Sequence, residues 1–312
     1  MSKYPKVTIV GAGNVGATAA LFILMHDLAN VVLIDVAEGL PQGKALDLMH
    51  ARSVERFGPT VCGTNDYVDT AGSAVVVITA GVARKPGMTR DDLLAINTAI
   101  VREVVAKVVA ASPDALILCV TNPLDIMTYL AYKESGLDSR RVLGMGGVLD
   151  SARFTYAVAE KTGAALNEIE ALAIGAHGDA MTPMAAASTL RGEALTEALA
   201  PDEVDALVER TVFGGAEVVG LLKTGSAFVA PAASVAAMVR ALLSDDETIL
   251  PSCVYLNGQF GIEDVYLSVP AVLNSTGVVR IEEIELSADD LARLQASAQT
   301  VAAALDELGL RG

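Results

Sequence analysis

Histidine is the side chain whose ordinary pKa lies closest to neutrality, so histidines are the first candidates for proton transfer at pH 7. The chain has three, His26, His50 and His177. His26 and His50 fall in stretches of helical pattern, and we interpret both as helix or interface residues. His177 stands in a glycine-flanked turn, residues 175–179, where the backbone can approach a ligand. A loop histidine taken alone is more often structural, so the case for His177 as an acid-base group depends on its partners.

Asp150 and Arg153 lie three residues apart at the start of a predicted helix, which places both side chains on about the same face. The simpler interpretation is an acid favoured by the helix dipole, joined to the arginine by an intrahelical salt bridge. The chemical interpretation is that Asp150 accepts a hydrogen bond from one ring nitrogen of His177, which fixes the tautomer and stabilises the imidazolium. Arg153 would then clamp a carboxylate, because its planar fork matches that group bidentately.

Two further arginines, Arg84 and Arg90, lie in the segment 79–93, which leaves a buried strand and enters a helix. The glycines and the proline of this segment predict a hinged loop that closes over a ligand and excludes water. The alternatives are a basic loop with a purely structural role and a loop that binds an acidic partner.

A glycine-rich turn follows the first predicted strand directly and opens a helix. Its residues are Gly11, Ala12, Gly13, Asn14, Val15 and Gly16. In this GxGxxG pattern the first glycine allows a tight turn, the second admits a pyrophosphate, and the third lets the helix pack closely on the strand. Asp35 ends the second strand, where a carboxylate accepts hydrogen bonds from ribose hydroxyls and repels a 2′-phosphate. The pattern alone is weak, but with Asp35 in register it predicts NAD, rather than NADP, as the cofactor.

Four later residues of the same half of the chain are further cofactor candidates. They are Asn97 and the strand end Val120, Thr121 and Asn122. Because ligands of open parallel sheets lie beyond the carboxyl ends of the strands, we expect these residues near the nicotinamide side of the cofactor.

The elements that must position these residues follow two patterns. From residue 7 to residue 147, short apolar, β-branched runs alternate with helical stretches, which indicates a parallel sheet covered on both faces. With the glycine turn, this predicts an α/β fold with a Rossmann-type doubly wound parallel sheet. Beyond about residue 149 the pattern changes to a mixed α+β arrangement of long helices and short strands. We therefore expect an NAD-binding domain over residues 1–148 and a substrate-binding, catalytic domain over residues 149–312.

Individual elements of the second half can also be predicted. Long helices are expected at 149–162, 202–222 and about 288–308, and strand candidates at 170–174, 183–190, 264–270 and 277–281. In the first half, the helix after the glycine turn is expected to span residues 14–29.

Composition excludes several classes of function. A formal charge of −16 lacks the cationic surface that nucleic-acid binding needs, so nucleic acid is not an expected partner. The apolar runs are much shorter than the ~18 residues of a membrane span, so no membrane association is expected. The first residues run almost directly into a strand and leave no room for a secretory signal, which predicts a cytoplasmic protein.

The three cysteines, Cys62, Cys119 and Cys253, form no CxxC pair. We expect all three to be reduced and no metal to be bound. Cys62 and Cys119 fall in apolar, strand-like stretches, where a thiol behaves as a small hydrophobic group.

Taken together, these stretches resemble the lactate and malate dehydrogenase superfamily, and in particular the lactate-dehydrogenase-like malate dehydrogenases of bacteria. The resemblance covers essentially the whole chain. Its motifs stand in the family's order and spacing: GAGNVG with Asp35, TAGVARKPGMTRDDLL, VTNPLD, GVLDSARF and GAHGD.

The resemblance implies a role for each matching residue. His177 would be the proton donor and acceptor, with Asp150 as its orienting partner and Arg153 on the carboxylate beside the reacting carbon. Asn122 would contact the substrate. Arg90 would polarise the substrate carbonyl from the closing loop, and Arg84 would bind the second carboxylate of malate or oxaloacetate. Lactate-type members generally carry glutamine at the position of Arg84, so arginine there implies a dicarboxylate.

Two alternatives remain open at this point. One is a lactate or other 2-hydroxy-acid dehydrogenase, and the other is a non-catalytic NAD-binding sensor, which the Rossmann motif alone permits. Helical faces around 40–55 and 210–222 are candidate interfaces, and the family forms dimers and tetramers. We therefore expect a homo-oligomer, a tetramer in preference to a dimer.

Overall fold

The computed structural model describes residues 3–82 and 90–311, without the side chains of residues 90 and 91. The strands are β1 (Lys6–Val10), β2 (Asn30–Ile34), β3 (Val61–Thr64), β4 (Val75–Ile78), β5 (Leu116–Cys119), β6 (Val142–Gly144), β7 (Ile169–Glu170), β8 (Ala173–Gly175), β9 (Met181–Pro183), β10 (Thr189–Leu190), β11 (Glu193–Ala194), β12 (Thr248–Asn257), β13 (Glu263–Asn274) and β14 (Gly277–Ile281). The helices are α1 (Asn14–Met25), α2 (Leu40–Glu55), α3 (Arg90–Ala111), α4 (Leu124–Ser135), α5 (Gly147–Thr162), α6 (Leu195–Ala198), α7 (Pro201–Leu222), α8 (Val229–Leu242) and α9 (Ala288–Glu307). Among the described residues, no helix has both the length and the apolar character needed to cross a bilayer.

The backbone contacts divide the chain into two compact units. The first comprises the described residues up to Met145 together with Phe228–Thr248 and Leu273–Val279. The second comprises Gly146–Ala227, Ile249–Val272 and the described residues from Arg280 onward. The contiguous division at 148/149 differs from this in two ways, since the chain divides three residues earlier and two later segments return to the first unit.

The first unit contains a parallel sheet of strand order β3-β2-β1-β4-β5-β6. Its strands are almost wholly apolar and buried, as a sheet covered by helices on both faces requires. This order places β1 and β4 at the centre, where the crossover changes direction, and ligands of such sheets bind beyond the carboxyl ends of these strands. The Rossmann-type doubly wound sheet predicted from the sequence is confirmed.

The second unit has a mixed architecture around a hairpin. Strands β8 and β9 pair antiparallel, with Gly175 opposite Met181, and β8 also pairs antiparallel with β13. A small separate sheet has the order β11-β10-β7. Helix α5 packs against β8 and α7, and its apolar face is buried in a cluster around Phe154. The predicted mixed α+β character of this half is confirmed.

Two predicted elements were wrong in extent, and two elements were missed. Helix α1 ends at Met25 rather than at residue 29, because Asp27 adopts a positive φ of 53° and its carboxylate accepts a hydrogen bond from Gly58 N. The strand candidate 183–190 is broken by a 3₁₀ turn at Ala185–Ala187, a run without β-branched side chains. Helix α8 and strand β12 were not predicted.

One cysteine also differs from expectation. All three are free, and Cys119 and Cys253 are buried. Cys62 is exposed on β3, the edge strand of the parallel sheet, so it does not serve as a buried hydrophobic group.

Phe154 anchors the helix that carries Asp150, and this gives a test of the second unit's core. Phe154 is fully buried in the cluster that joins α5 to Ile169 and Leu207. We expect Phe154→Ala to lower the free energy of unfolding by about 3–5 kcal/mol, because it leaves a cavity. The measurement is urea unfolding followed by circular dichroism. The control Leu166→Ala, at a residue that is 63% exposed, should stay within about 0.5 kcal/mol of the parent. Equal losses in the two variants would contradict this packing.

Candidate active site

The three glycines of the first turn meet three different steric requirements. Gly11 has a φ of 109°, and a Cβ there would lie 2.5 Å from Thr79 Oγ1. A Cβ at Gly16 would collide with the carbonyl oxygen of Gly11. Gly13 has no atom within 4 Å of an added Cβ, so the space beside it is open to a ligand. The first and third positions therefore demand glycine for packing, and the second leaves room for a bound group.

Asp35 is held against the glycine turn by the backbone. Its Oδ2 accepts a hydrogen bond from Ala12 N at 2.7 Å, and its Oδ1 accepts one from Ala37 N at 2.9 Å. Each carboxylate oxygen can accept two hydrogen bonds, so both retain capacity for hydroxyl donors. The carboxylate is thus fixed at the carboxyl end of β2, and both of its oxygens can accept further hydrogen bonds from a ligand.

A cavity of about 410 Å³ opens beside these groups within the first unit. Its polar lining includes Asp35, and its apolar lining includes Val36, Ile100 and Val104. The volume lies in the range of small-molecule pockets, which combine apolar walls with a few polar groups. With the open space at Gly13 and the N-terminus of α1, these residues fit the adenosine half of a dinucleotide.

Asn65 also lines this cavity, and sequence reasoning missed it. Its Nδ2 donates to the carbonyl oxygens of Asp35, at 2.7 Å, and Ala37, at 3.2 Å. Its Oδ1 accepts from Gln42 Nε2 at 2.7 Å. The side chain therefore holds the segment after β2 in the shape that presents the Asp35 carboxylate.

Asn97 of α3 and the residues that follow β5 lie together. Asn97 is buried, its Nδ2 donates to Asn122 O at 2.7 Å and to Val82 O at 3.2 Å, and its Oδ1 accepts from Val82 N. Thr121 Oγ1 donates to Ala80 O at 2.7 Å. These side chains join the segments that follow β4 and β5, whereas the side chain of Asn122 is exposed. The described hydrogen bonds of Asn97 all go to backbone atoms.

His177 occupies the loop of the β8–β9 hairpin and contacts Asp150. The distance from its Nδ1 to Asp150 Oδ2 is 2.9 Å. An ionised carboxylate can only accept, so Nδ1 carries the hydrogen and Nε2 becomes the nitrogen able to accept a proton. The predicted partnership between these two side chains is present in the structure. His26 and His50, by contrast, are exposed at the end of α1 and on α2.

Asp150 lies in the first turn of α5 and is 1% exposed. Its second oxygen, Oδ1, is 3.3 Å from Arg153 Nη1. Burial lowers the pKa of Arg153, and the neighbouring Asp150 carboxylate partly opposes that effect. In the described part of the chain, this carboxylate is the one hydrogen-bond acceptor that the Arg153 guanidinium has. Its other N–H donors suit a carboxylate of a ligand.

Two glycines of α7 make room for Arg153. A Cβ at Gly214 would lie 3.3 Å from Arg153 Cδ, and a Cβ at Gly215 would lie 3.4 Å from Arg153 Nη2. Glycine in a helix interior costs about 1 kcal/mol relative to alanine, so a pair of them inside a predicted helix was a signal that sequence reasoning missed.

Ser151 is a second missed residue, and it ties α5 to the hairpin. Its Oγ accepts a hydrogen bond from Ala173 N at 2.9 Å. This bond fixes the strand that leads to His177 against the helix that carries Asp150. A buried serine leaves no sequence pattern that reveals such a contact.

The arginines of the predicted closing loop are only partly covered by the structure. Arg84 lies outside the described residues. Arg90 begins α3, but its side chain also lies outside the description.

Both halves of the chain match models of one protein family. The model of the lactate/malate dehydrogenase NAD binding domain matches residues 5–144, and the model of the alpha/beta C-terminal domain of the same family matches residues 147–309. The chain is therefore an NAD-dependent dehydrogenase. The chain belongs to the lactate/malate dehydrogenase family.

Similar proteins include enzymes of both substrate types. The malate dehydrogenase of Desulforudis audaxviator is 51% identical over 306 residues, which cover 98% of this chain and 99% of that one. The crystal structure of Cryptosporidium parvum malate dehydrogenase has a TM-score of 0.95 at 39% identity, over 98% of this chain and 99% of that chain. The lactate dehydrogenase of the same organism, complexed with lactic acid and nicotinamide adenine dinucleotide, has a TM-score of 0.94 at 36% identity, with the same coverage. Backbone similarity alone thus does not separate the two substrates.

The geometry around Asp35 predicts how cofactor choice can be altered. In Asp35→Asn the charge that repels a 2′-phosphate is removed. We expect the ratio of kcat/KM for NADPH to that for NADH to rise about tenfold or more, a change of about 1.4 kcal/mol. The measurement is steady-state kinetics with both cofactors, and a general distortion would lower both values without raising the ratio. Asp47→Asn, the same charge change at an exposed position on α2, should leave the ratio as it is. An unchanged ratio in Asp35→Asn would show that another group selects the cofactor.

Proposed function

We propose that this chain catalyses the reversible NAD-dependent oxidation of (S)-malate to oxaloacetate, with His177 as the acid-base group. The observation that carries the proposal is the buried Asp150 carboxylate with His177 on one oxygen and Arg153 on the other. This arrangement provides a proton acceptor and a carboxylate clamp together, which are the two requirements of a 2-hydroxy-acid substrate. The high identity to malate dehydrogenases over nearly the whole chain supports the choice of malate.

His177 accepts and donates the proton in this mechanism. During malate oxidation, its Nε2 takes the proton of the substrate hydroxyl, and the ring becomes an imidazolium. Asp150, in contact with Nδ1, stabilises that positive charge and holds the ring in one orientation. In oxaloacetate reduction the imidazolium returns the proton to the oxygen that forms at the carbonyl carbon.

Arg153 holds the carboxylate beside the reacting carbon. Its guanidinium is mostly buried and partly desolvated, so an anion that binds there meets a cation only weakly screened by water. The bidentate geometry of arginine fixes the orientation of the substrate as well as its position.

Three further residues complete the proposed substrate contacts, on the basis of the family motifs that they match. Asn122 helps to position the substrate from the end of β5. Arg90 polarises the carbonyl and stabilises the charge that develops on its oxygen. Arg84 binds the second carboxylate, which pyruvate lacks. Closure of the loop without that carboxylate would bury an unpaired cation at a cost of several kcal/mol.

The proposed cofactor site comprises the glycine turn and the residues around it. They are Gly11, Ala12, Gly13, Asn14, Val15, Gly16, Asp35, Asn97, Val120, Thr121 and Asn122. When bound, the nicotinamide ring supplies the acceptor for the hydride that leaves the hydroxyl-bearing carbon. Asp35 would accept hydrogen bonds from the adenosine ribose, and the open backbone at Gly13 would admit the pyrophosphate. We assign cofactor binding to residues 1–148 and substrate chemistry to residues 149–312.

The setting of the reaction is proposed on separate grounds. Oxidation of malate to oxaloacetate is a step of the tricarboxylic acid cycle. A cytoplasmic location suits a chain whose cysteines, including the exposed Cys62, are free thiols.

A homo-oligomer, a tetramer in preference to a dimer, is supported by large apolar side chains that are exposed on α2, such as Val54, and on α7, such as Leu221.

Replacement of His177 tests the acid-base assignment. In His177→Asn we expect kcat to fall at least about a hundredfold in both directions, because general acid-base catalysis contributes about that much or more. NADH affinity, measured by fluorescence titration, should stay the same. The control His50→Asn, at an exposed position, should retain parental kcat. Near-parental turnover of His177→Asn would overturn the assignment, and the absence of any 2-oxo-acid reduction by the parent would favour a non-catalytic NAD-binding role.

Replacement of Arg84 tests the identity of the substrate. In Arg84→Gln we expect kcat/KM for oxaloacetate to fall about thirtyfold or more, since the loss of one partner of a buried charge pair costs about 2–5 kcal/mol. The value for pyruvate should fall less or rise, so the selectivity ratio shifts toward pyruvate. Lys85→Gln makes the same charge change in the same loop and should preserve the ratio. A ratio that does not move in Arg84→Gln would mean that another residue recognises the second carboxylate, and a parent that prefers pyruvate would be a lactate-type enzyme.

A further inference from the structure

Ser297 on α9 joins the two ends of the loop that carries His177. This serine is 4% exposed. Its Oγ accepts a hydrogen bond from Ala176 N at 2.8 Å and donates one to Ala180 O at 2.7 Å. One hydroxyl thus pairs with a buried donor and a half-buried acceptor that belong to a different part of the chain.

Ala176 and Ala180 are the first and last residues of that loop. The hairpin strands end at Gly175 and begin again at Met181, and these two residues are paired. The loop between them has positive φ angles at Gly178, and at Gly175 just before it, so the backbone bends on both sides of His177. Strand pairing therefore stops at Gly175, and Ser297 supplies the next bridge across the hairpin toward the histidine.

We infer that Ser297 is a positioning residue for catalysis, which holds the His177 loop so that the imidazole meets Asp150 in a productive orientation. The inference rests on the proposed role of His177 as the acid-base group. Ser297 neither touches the substrate nor takes part in the proton transfer. Its effect passes through the backbone at Ala176, the residue that precedes His177.

Two serines define the position of His177 from opposite sides. Ser151 joins α5 to β8 through Ala173, ahead of the loop, and Ser297 joins α9 to the loop itself. Loss of the Ser297 bridge leaves strand β8 attached to α5 but frees the loop to move relative to Asp150. A displacement of about 1 Å in a catalytic group can reduce turnover by about a hundredfold, even when the mutated residue lies outside the chemistry.

Helix α9 has apolar side chains of its own that pack it into the second unit. Leu294 and Leu305 of this helix are fully buried and hold it in place. The hydroxyl can therefore be removed while the helix stays docked, and the consequences should concentrate in the loop.

The second unit offers a matched control, Ser188. This serine is 0% exposed, its Oγ accepts from Leu172 N at 3.0 Å, and it donates to Met184 O at 2.7 Å. It makes the same pair of backbone hydrogen bonds as Ser297, with similar distances and burial. Its bonds lie at the opposite end of the same hairpin, at Leu172 before β8 and Met184 after β9, so the paired strands separate them from the His177 loop.

The experiment compares Ser297→Ala with Ser188→Ala in the otherwise unchanged full-length protein. We expect both variants to unfold at lower urea concentration than the parent, by similar amounts. Ser297→Ala should also lower kcat about tenfold to a hundredfold, in line with a misplaced catalytic group, while the dissociation constant of NADH changes less than about twofold. Ser188→Ala should keep kcat within about twofold of the parent.

A spectroscopic measurement separates positioning from general damage. The Nδ1 proton of His177, bonded to Asp150, should give a downfield proton resonance in nitrogen-labelled protein. This resonance should broaden through faster exchange in Ser297→Ala and stay sharp in Ser188→Ala. Equal kcat values and equally sharp resonances in the two variants would overturn the inference.

Two additional variants keep the test decisive. If Ser297→Ala does not fold, Ser297→Cys and Ser188→Cys replace the pair, because a thiol has similar size and forms weaker hydrogen bonds; only the first should lose kcat. His177→Asn is measured alongside. If that variant keeps its turnover, the proposed function fails, whereas an inactive His177→Asn with a fully active Ser297→Ala refutes the positioning role alone.

Discussion

The burial of Asp150 is the constraint around which the second unit is organised. An isolated carboxylate with 1% exposure would be strongly destabilising, so it must be paired and hydrogen-bonded. His177 and Arg153 each take one of its oxygens, and its place in the first turn of α5 adds the favourable field of the helix N-terminus. Both partners are needed. The β8–β9 hairpin must therefore place His177 beside Asp150, and α7 must leave space for the side chain of Arg153.

The residues that allow His177 and Arg153 to reach Asp150 have small side chains. Gly214 and Gly215 leave space for the guanidinium of Arg153, and the hydroxyl of Ser151 ties the strand before His177 to α5. Small side chains provide close approach and short hydrogen bonds without bulk that would block a ligand. The precision of the charged cluster therefore depends on residues that carry no charge and would take no part in the reaction.

Much of the fold could be predicted from the sequence, because the first half of the chain has strong local patterns. Continuous apolar strands, the glycine turn and Asp35 each lie within short windows, and together they predict the doubly wound sheet. Helix α8 is apolar over most of its length, and its return to the first unit depends on contacts far along the chain. Strand β12 contains Pro251 and Ser252, which interrupt the usual strand pattern.

In the candidate site, too, some contacts could be predicted from the sequence and others could not. The pairing of His177 with Asp150 was predicted because recognisable motifs surround both residues. Asn65 and Ser151 were not predicted, since each acts through backbone atoms many residues away and neither contact leaves a periodic trace. Long-range hydrogen bonds of single polar side chains are thus the part of an active site that sequence patterns are least able to show.

The same cluster also couples substrate binding to proton transfer through charge balance. On the proposed mechanism, the Asp150 carboxylate balances the charge of Arg153, so the cluster has no net charge while His177 is neutral. On the proposed mechanism, a substrate carboxylate at Arg153 adds a negative charge to a poorly solvated place, and a proton on His177 restores the balance. Each event therefore favours the other. A chain with a net charge of −16 repels anions at long range, and on this mechanism the local coupling at Arg153 and His177 offsets that repulsion.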